Sequence, residues 1–170
     1  MKHELQILDE CTPYLGEAND AFPMTVVIIY NDMHAALRAA QTLERLGRKF
    51  FGKMRQHLMP VPVNQLTDPA RFDRLLSDAS SADMIIVSFN GHGDFPTILK
   101  DWVKNCLTQK REGDSAVVAL LSSNERLDAP ESPRYQFIKN ATRAAGLDFF
   151  APKAAVSEEA YMMEQMEIVA

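Results

Sequence analysis

Hydrophobic positions along the chain alternate between two periods. Thr25, Val26, Val27, Ile28, Ile29 and Tyr30 form an unbroken, largely β-branched run, with Pro23 before it and Asn31 and Asp32 after it. A run that is apolar on both faces is what a buried parallel strand needs. Asn31 or Asp32 can cap the next segment, where Met33, Leu37, Ala40 and Leu43 recur at helical spacing and Gly47 offers a stop. The alternation then repeats. Residues 57–63 read as a strand, and Pro60 and Pro62, unable to donate ladder hydrogen bonds, assign it to a sheet edge. Asp68 and Pro69 open a second helix with Phe72, Leu75, Leu76 and Ala79 as its buried stripe. Residues 83–88 are a third strand, apolar on both faces. Ile98, Leu99, Trp102, Val103, Cys106 and Leu107 trace the clearest amphipathic helix of the chain. Residues 115–121 predict a fourth strand. Ser132 and Pro133 start a fourth helix with Phe137, Ile138 and Ala141 inward and Gly146 as its stop. Residues 148–151 predict a short fifth strand. Ser157, Glu158 and Glu159 open a fifth helix whose Met162, Met163 and Met166 are apolar contacts.

Five strand–helix units in alternation predict a three-layer αβα sandwich around a parallel sheet. Right-handed crossovers and the proline-bearing edge strand select the flavodoxin-like five-stranded order 2-1-3-4-5. Residues 1–23 fall outside this scheme and are expected to be an arm or short helix packed on a single domain, 24–170.

Composition narrows the functional classes. The chain has 170 residues, 46% hydrophobic and 24% charged, an ordinary globular balance. The net charge of −5 is unevenly spread. Residues 1–23 set Lys2 against Glu4, Asp9, Glu10, Glu17 and Asp20, and residues 154–170 carry Glu158, Glu159, Glu164 and Glu167 with no base. The body between them is modestly basic. Its one basic cluster, Arg45, Arg48, Lys49, Lys53 and Arg55, reads as a solvated helix end and loop, so no nucleic-acid partner is expected. The longest apolar runs, residues 26–29 and 84–87, are too short to span a bilayer, and no signal peptide is visible. A cytoplasmic protein is expected, with Cys11 and Cys106 as free thiols.

In an open parallel sheet, ligands bind beyond the carboxyl ends of the strands where the strand order reverses, here between the first and third strands. The loops at that point bring Asn31, Asp32 and His34 toward Ser88, Asn90, Gly91, His92, Gly93 and Asp94. Ser122, Ser123 and Asn124 lie next door. Gly91 and Gly93 imply a sharp backbone turn or close approach by a ligand. His34 and His92 are the candidate bases, with Asp32 or Asp94 to orient them. Asp32, His34, His92 and Asp94 are of the right type for a metal, but no local spacing fixes ligand geometry, so no metal site is assigned. Ser88, Ser122 and Ser123 lack a nucleophile elbow, and Gly91-His92-Gly93 lacks the lysine and spacing of a phosphate loop. Trp102 and Cys106 belong to the core stripe, Cys106 as a buried, inert thiol.

Two partial resemblances follow from these residues. Residues 82–103, with Pro96, Leu99, Lys100 and Trp102, resemble the third strand and following helix of flavodoxin-like reductases. That resemblance implies FMN, with residues 88–95 against the flavin ring. The loop Asn31-Asp32-Met33-His34-Ala35 has none of the Ser/Thr/Gly character that such proteins use for the flavin phosphate. Residues 24–153 resemble response-regulator receiver domains through Asp32 after the first strand, Ser122 or Ser123 after the fourth, and residues 144–153 ending in Lys153. The phosphoacceptor aspartate of receivers is replaced by Ser88, Phe89 and Asn90, and Pro152 precedes Lys153 where receivers have it after.

These mismatches predict a non-catalytic, receiver-like regulatory or interaction module, working through a protein partner or self-association and needing no cofactor. The alternatives are a small FMN-binding redox protein and a small hydrolase or transferase using His34 or His92.

Overall fold

In the computed structural model, residues 23–50, 55–123 and 126–152 are described. They form β1 (Pro23–Tyr30), α1 (Met33–Phe50), β2 (Arg55–Pro62), a 3-10 turn (Val63–Thr67), α2 (Pro69–Ala79) and β3 (Met84–Asn90). Then come α3 (Thr97–Thr108), β4 (Ala116–Ser123), β5 (Arg126–Leu127), α4 (Pro133–Ala144) and β6 (Asp148–Phe150).

β2, β1, β3, β4 and β6 are parallel neighbours in that order, the flavodoxin-like order 2-1-3-4-5. β2 is the edge strand its prolines require, with Pro60 opposite Ile28 and Pro62 opposite Tyr30. The other edge of β4 is shared. β6 pairs with its beginning, Ala116 to Val118, and the two-residue β5 pairs antiparallel with its end, Ser122 and Ser123. This antiparallel stub departs from the expected all-parallel sheet. It forms because the chain after β4 folds straight back, the Asp128 amide donating to the Leu121 carbonyl at 2.9 Å.

The two faces of the sheet are covered unequally. Val27, Ile29, Ile85, Val87, Val117 and Ala119 face α2, α3 and α4, with Leu99, Trp102 and Ile138 fully buried among them. Val26, Ile28, Ile86 and Leu120 face Ala39 and Leu43 of α1. Trp102 and Cys106 sit in the first core as expected, the Trp102 Nε1–H donating to the Phe72 carbonyl at 3.3 Å. Burial pushes the Cys106 thiol up to about 11, against a smaller opposing effect of Lys110, so it stays a thiol.

Local signals set most boundaries. Asp68 caps α2, accepting from the Ala70 amide at 3.1 Å, and Ser132 caps α4, accepting from the Tyr135 amide at 3.2 Å. Gly146 ends α4 with φ at 70°, the left-handed conformation of a helix stop. Gly47 does not stop α1, which runs on to Phe50. It lacks that positive φ, and its missing side chain faces Gln56, whose Nε2 would lie 3.4 Å from an added Cβ. β2 ends at Pro62, with Val63 opening the 3-10 turn, and β3 and β4 run further than expected, to Asn90 and Ser123. The expected arm, Cys11, Lys53, Lys153 and the methionine-bearing fifth helix lie outside the described residues. No helix among the described residues is long and apolar enough to cross a membrane.

Trp102 is the largest fully buried side chain. Trp102→Ala is expected to lower unfolding free energy by about 3–5 kcal/mol. Urea titration should show an earlier midpoint with an unchanged slope.

Candidate functional site

The carboxyl ends of β1, β3 and β4 form one rim, as the order reversal between β1 and β3 dictates. Asn31 and Asp32 are the whole link between β1 and α1. So short a link puts Asp32 at the amino end of α1, where unpaired amides favour a carboxylate. Its Oδ1 accepts from the Ala35 amide at 2.8 Å, and its carbonyl from the Ala36 amide at 3.1 Å. Asn90 Nδ2 donates to the same Asp32 Oδ1 at 3.0 Å. Asn31 and Asn90 close the cluster reciprocally, Asn31 Nδ2 donating to the Asn90 carbonyl at 2.7 Å and the Asn90 amide to Asn31 Oδ1 at 3.0 Å.

Ser88 is fully buried, its hydroxyl donating to the Ala35 carbonyl at 2.7 Å and accepting from Arg38 Nη2 at 3.2 Å. Ser122 is buried in β4, its carbonyl accepting from the Gly91 amide at 3.0 Å. Gly91 and Gly93 have φ values of 98° and 92°, so the turn after β3 needs both glycines, although open space surrounds each. His34 and His92 are exposed at the rim. Asp94 accepts from the Phe95 amide at 2.8 Å and pairs with Lys100. The Lys100 hydrogen bond, stronger than the opposing effect of burial, holds the Asp94 carboxyl below its ordinary value. Asn124 lies outside the described residues. Among the described residues no three His, Cys, Asp or Glu side chains gather as a metal site, so Asp32, His34, His92 and Asp94 do not form one.

Sequence reasoning missed the groups that hold this rim. Arg38 lies on the inward side of α1, and its Nη2 donates to the carbonyls of Leu120 at 2.6 Å and Phe89 at 3.1 Å. Its Nε is buried without a partner. Burial lowers the affinity of Arg38 for its proton, Asp32 partly restores it, and Arg134 opposes it again. On the other face, Arg134 is 3% exposed and forks onto Asp128, Nε to Oδ2 at 3.0 Å and Nη2 to Oδ1 at 2.9 Å. Arg134 Nη2 also donates to the Ser122 carbonyl at 3.3 Å and Ser123 Oγ at 3.0 Å. Asp128 accepts from Ser123 and Ser132 hydroxyls at 3.0 and 3.1 Å. Burial alone would raise the Asp128 carboxyl, but Arg134, with Ser123 and Ser132, outweighs it and holds the group below its ordinary value. Above this pair opens a cleft of about 400 Å³ lined by Gly93, Asp94, Arg126 and Ser132 among others. The signal that could have found Arg38 is a base on the apolar stripe of a helix, between Ala35 and Ala39.

No family model matches the chain, and no curated protein matches it. Among solved structures it is similar to a flavodoxin of Streptococcus pneumonia, 14% identical, with a TM-score of 0.47 over 84% of this chain and 93% of that one. A short-chain flavodoxin associated with a non-canonical PDU bacterial microcompartment gives the same four values, 14%, 0.47, 84% and 93%. Likeness at that level carries no argument about activity, and the fold class rests on the strand order itself.

Breaking the buried pair from one side leaves a charge without its partner. Arg134→Met is expected to destabilise the protein by about 3–5 kcal/mol, and Arg134→Met with Asp128→Asn by less, since no charge is then stranded. Because the Asp128 carboxyl is lowered from 3.8, its stabilisation is present above that pH and is lost as pH falls toward the folded-state value. The stability gap between the native protein and Asp128→Asn should therefore narrow below about pH 4. Asn90→Asp, which sets a second carboxylate against Asp32, is expected to cost about 1–3 kcal/mol at neutral pH. That loss should shrink on acidification, as the pair takes up a proton. Denaturant melts across pH check both.

Proposed function

We propose that this chain is a non-catalytic regulatory or protein-interaction module of receiver-like layout, presenting its rim to a protein partner. One observation carries the reading: the rim's polar groups are already used to hold the rim together. The Asp32 carboxylate is engaged by Ala35 and Asn90, and the Asp94 carboxylate by Phe95 and Lys100. A general base needs an oriented, available partner at the reacting centre. Neither acid is left to orient His34 in that way.

Where a receiver has its phosphoacceptor, this chain has Asn90, whose amide has no carboxylate to form an acyl phosphate. A flavin phosphate does not fit either. Its place in this fold class is the amino end of α1, where the Asp32 carboxylate already takes the Ala35 amide and would repel a second anion. Phe89 and Phe95 are buried against each other, ring centres 5.2 Å apart, and offer no open face to a flavin ring. What is left exposed is a rigid polar surface with His34, His92 and Asp94, suited to docking of a protein.

Two measurements test this reading. Intact mass after incubation with acetyl phosphate and magnesium should show no phosphoryl adduct, and a stoichiometric phosphoryl adduct would overturn it. A photo-cross-linking residue at His34 in living cells should give a discrete protein adduct that weakens in Asn31→Ala. Adducts formed only from positions on other faces would remove the rim as the partner surface.

A further inference from the structure

The carboxy-terminal halves of α3 and α4 enclose a second cavity, a groove of about 700 Å³ away from the rim. It is lined by Leu107, Phe137, Ala141 and Ala145, with the exposed Ala144 on its wall, and Lys104 stands on its lip, 5.6 Å from the centre of the Phe137 ring. Its lining carries two bases, Lys104 and Lys110, and no acid. An apolar trough with positively charged walls is the complement of an acidic, amphipathic segment.

The chain carries such a segment. Residues 1–22 contain Glu4, Asp9, Glu10, Glu17 and Asp20 against the single base Lys2, interleaved with Leu5, Ile7, Leu8, Tyr14 and Leu15. They join the described chain at Pro23, the amino end of β1. That end of the sheet is the groove's end, because α3 and α4 run back against the strands. Hydrogen bonds mark the proximity. The Thr25 amide donates to Asp83 Oδ2 at 2.8 Å, and the neighbouring Ala82 carbonyl accepts from Nζ of Lys110, a groove residue, at 2.7 Å. Length is sufficient, since 22 residues span roughly 33 Å even as continuous helix, against roughly 12 Å for the groove-lining stretch of α4. β6, which precedes the other acidic stretch in sequence, runs parallel to β4, toward the opposite, carboxyl end of the sheet.

We propose that residues 1–22 dock in the α3–α4 groove of their own molecule. This does not depend on the function proposed for the rim. The test is carbodiimide cross-linking of the full-length protein, as an equal mixture of unlabelled and isotope-labelled chains, mapped by mass spectrometry. The expected result is amide links from Glu4, Asp9, Glu10 or Glu17 to Lys104 or Lys110, the two lysines that line the groove, within one label. Ala144→Glu sets a like charge on an exposed position of the groove wall and should cut their yield at least about threefold with the fold intact by circular dichroism. Links between differently labelled chains would assign the groove to a second copy. Links from the acids of 154–170 would assign it to the other end of the chain. Either result, an absence of links, or a yield unmoved by Ala144→Glu overturns the proposal.

Discussion

Two guanidinium groups, one from each side of the sheet, hold the carboxyl ends of β3 and β4. Arg38 reaches in from α1 to the carbonyls of Phe89 and Leu120, and Arg134 from α4 to the carbonyl of Ser122 and to Asp128. Parallel strands end in a row of carbonyls beyond the last ladder hydrogen bond, and buried carbonyls without donors are costly. The two arginines supply those donors where loops alone would leave them to water. The antiparallel return of β5 follows from the second arginine, because Asp128 must come back over β4 to meet it. The placement of α1 follows from the first, together with the Ser88 hydroxyl bonded to Ala35.

That constraint extends to the polar side chains of the rim. In a parallel α/β domain the ends of the strands are the natural place for chemistry, because loop groups there are free to act on a ligand. Here Asn31, Asp32 and Asn90 bond to one another, Ser88 is sealed beneath α1, and Asp94 is tied to Lys100. The same polar residue types that make a catalytic rim in one sequence make a structural brace in another.

The fold was largely legible because its signals are local and redundant. The two-sided apolar strands, the prolines of β2 and the Asp68-Pro69 and Ser132-Pro133 caps each act over a few residues and all agree. Gly47 misled because a glycine ends a helix only when the chain beyond it takes the left-handed turn, which packing decides and sequence does not. β5 was invisible because two residues carry no period. The rim was legible as a place and not as a network: spacing brought Asn31, Asp32 and Asn90 together, but nothing local says that they bond to each other. Arg38 and the Arg134–Asp128 pair escaped because a buried charge is recognisable only through its partner, and those partners lie on other elements of the chain.

With the Asp32 carboxylate on the Ala35 amide at the amino end of α1, the proposed reading has no place there for a flavin phosphate. Titration of the purified protein into flavin mononucleotide, followed by flavin fluorescence, tests it directly. No saturable quenching is expected with the native protein. Stoichiometric, saturable quenching by native protein, weakened by substitutions along residues 88–95, would contradict that reading and make the rim a flavin site.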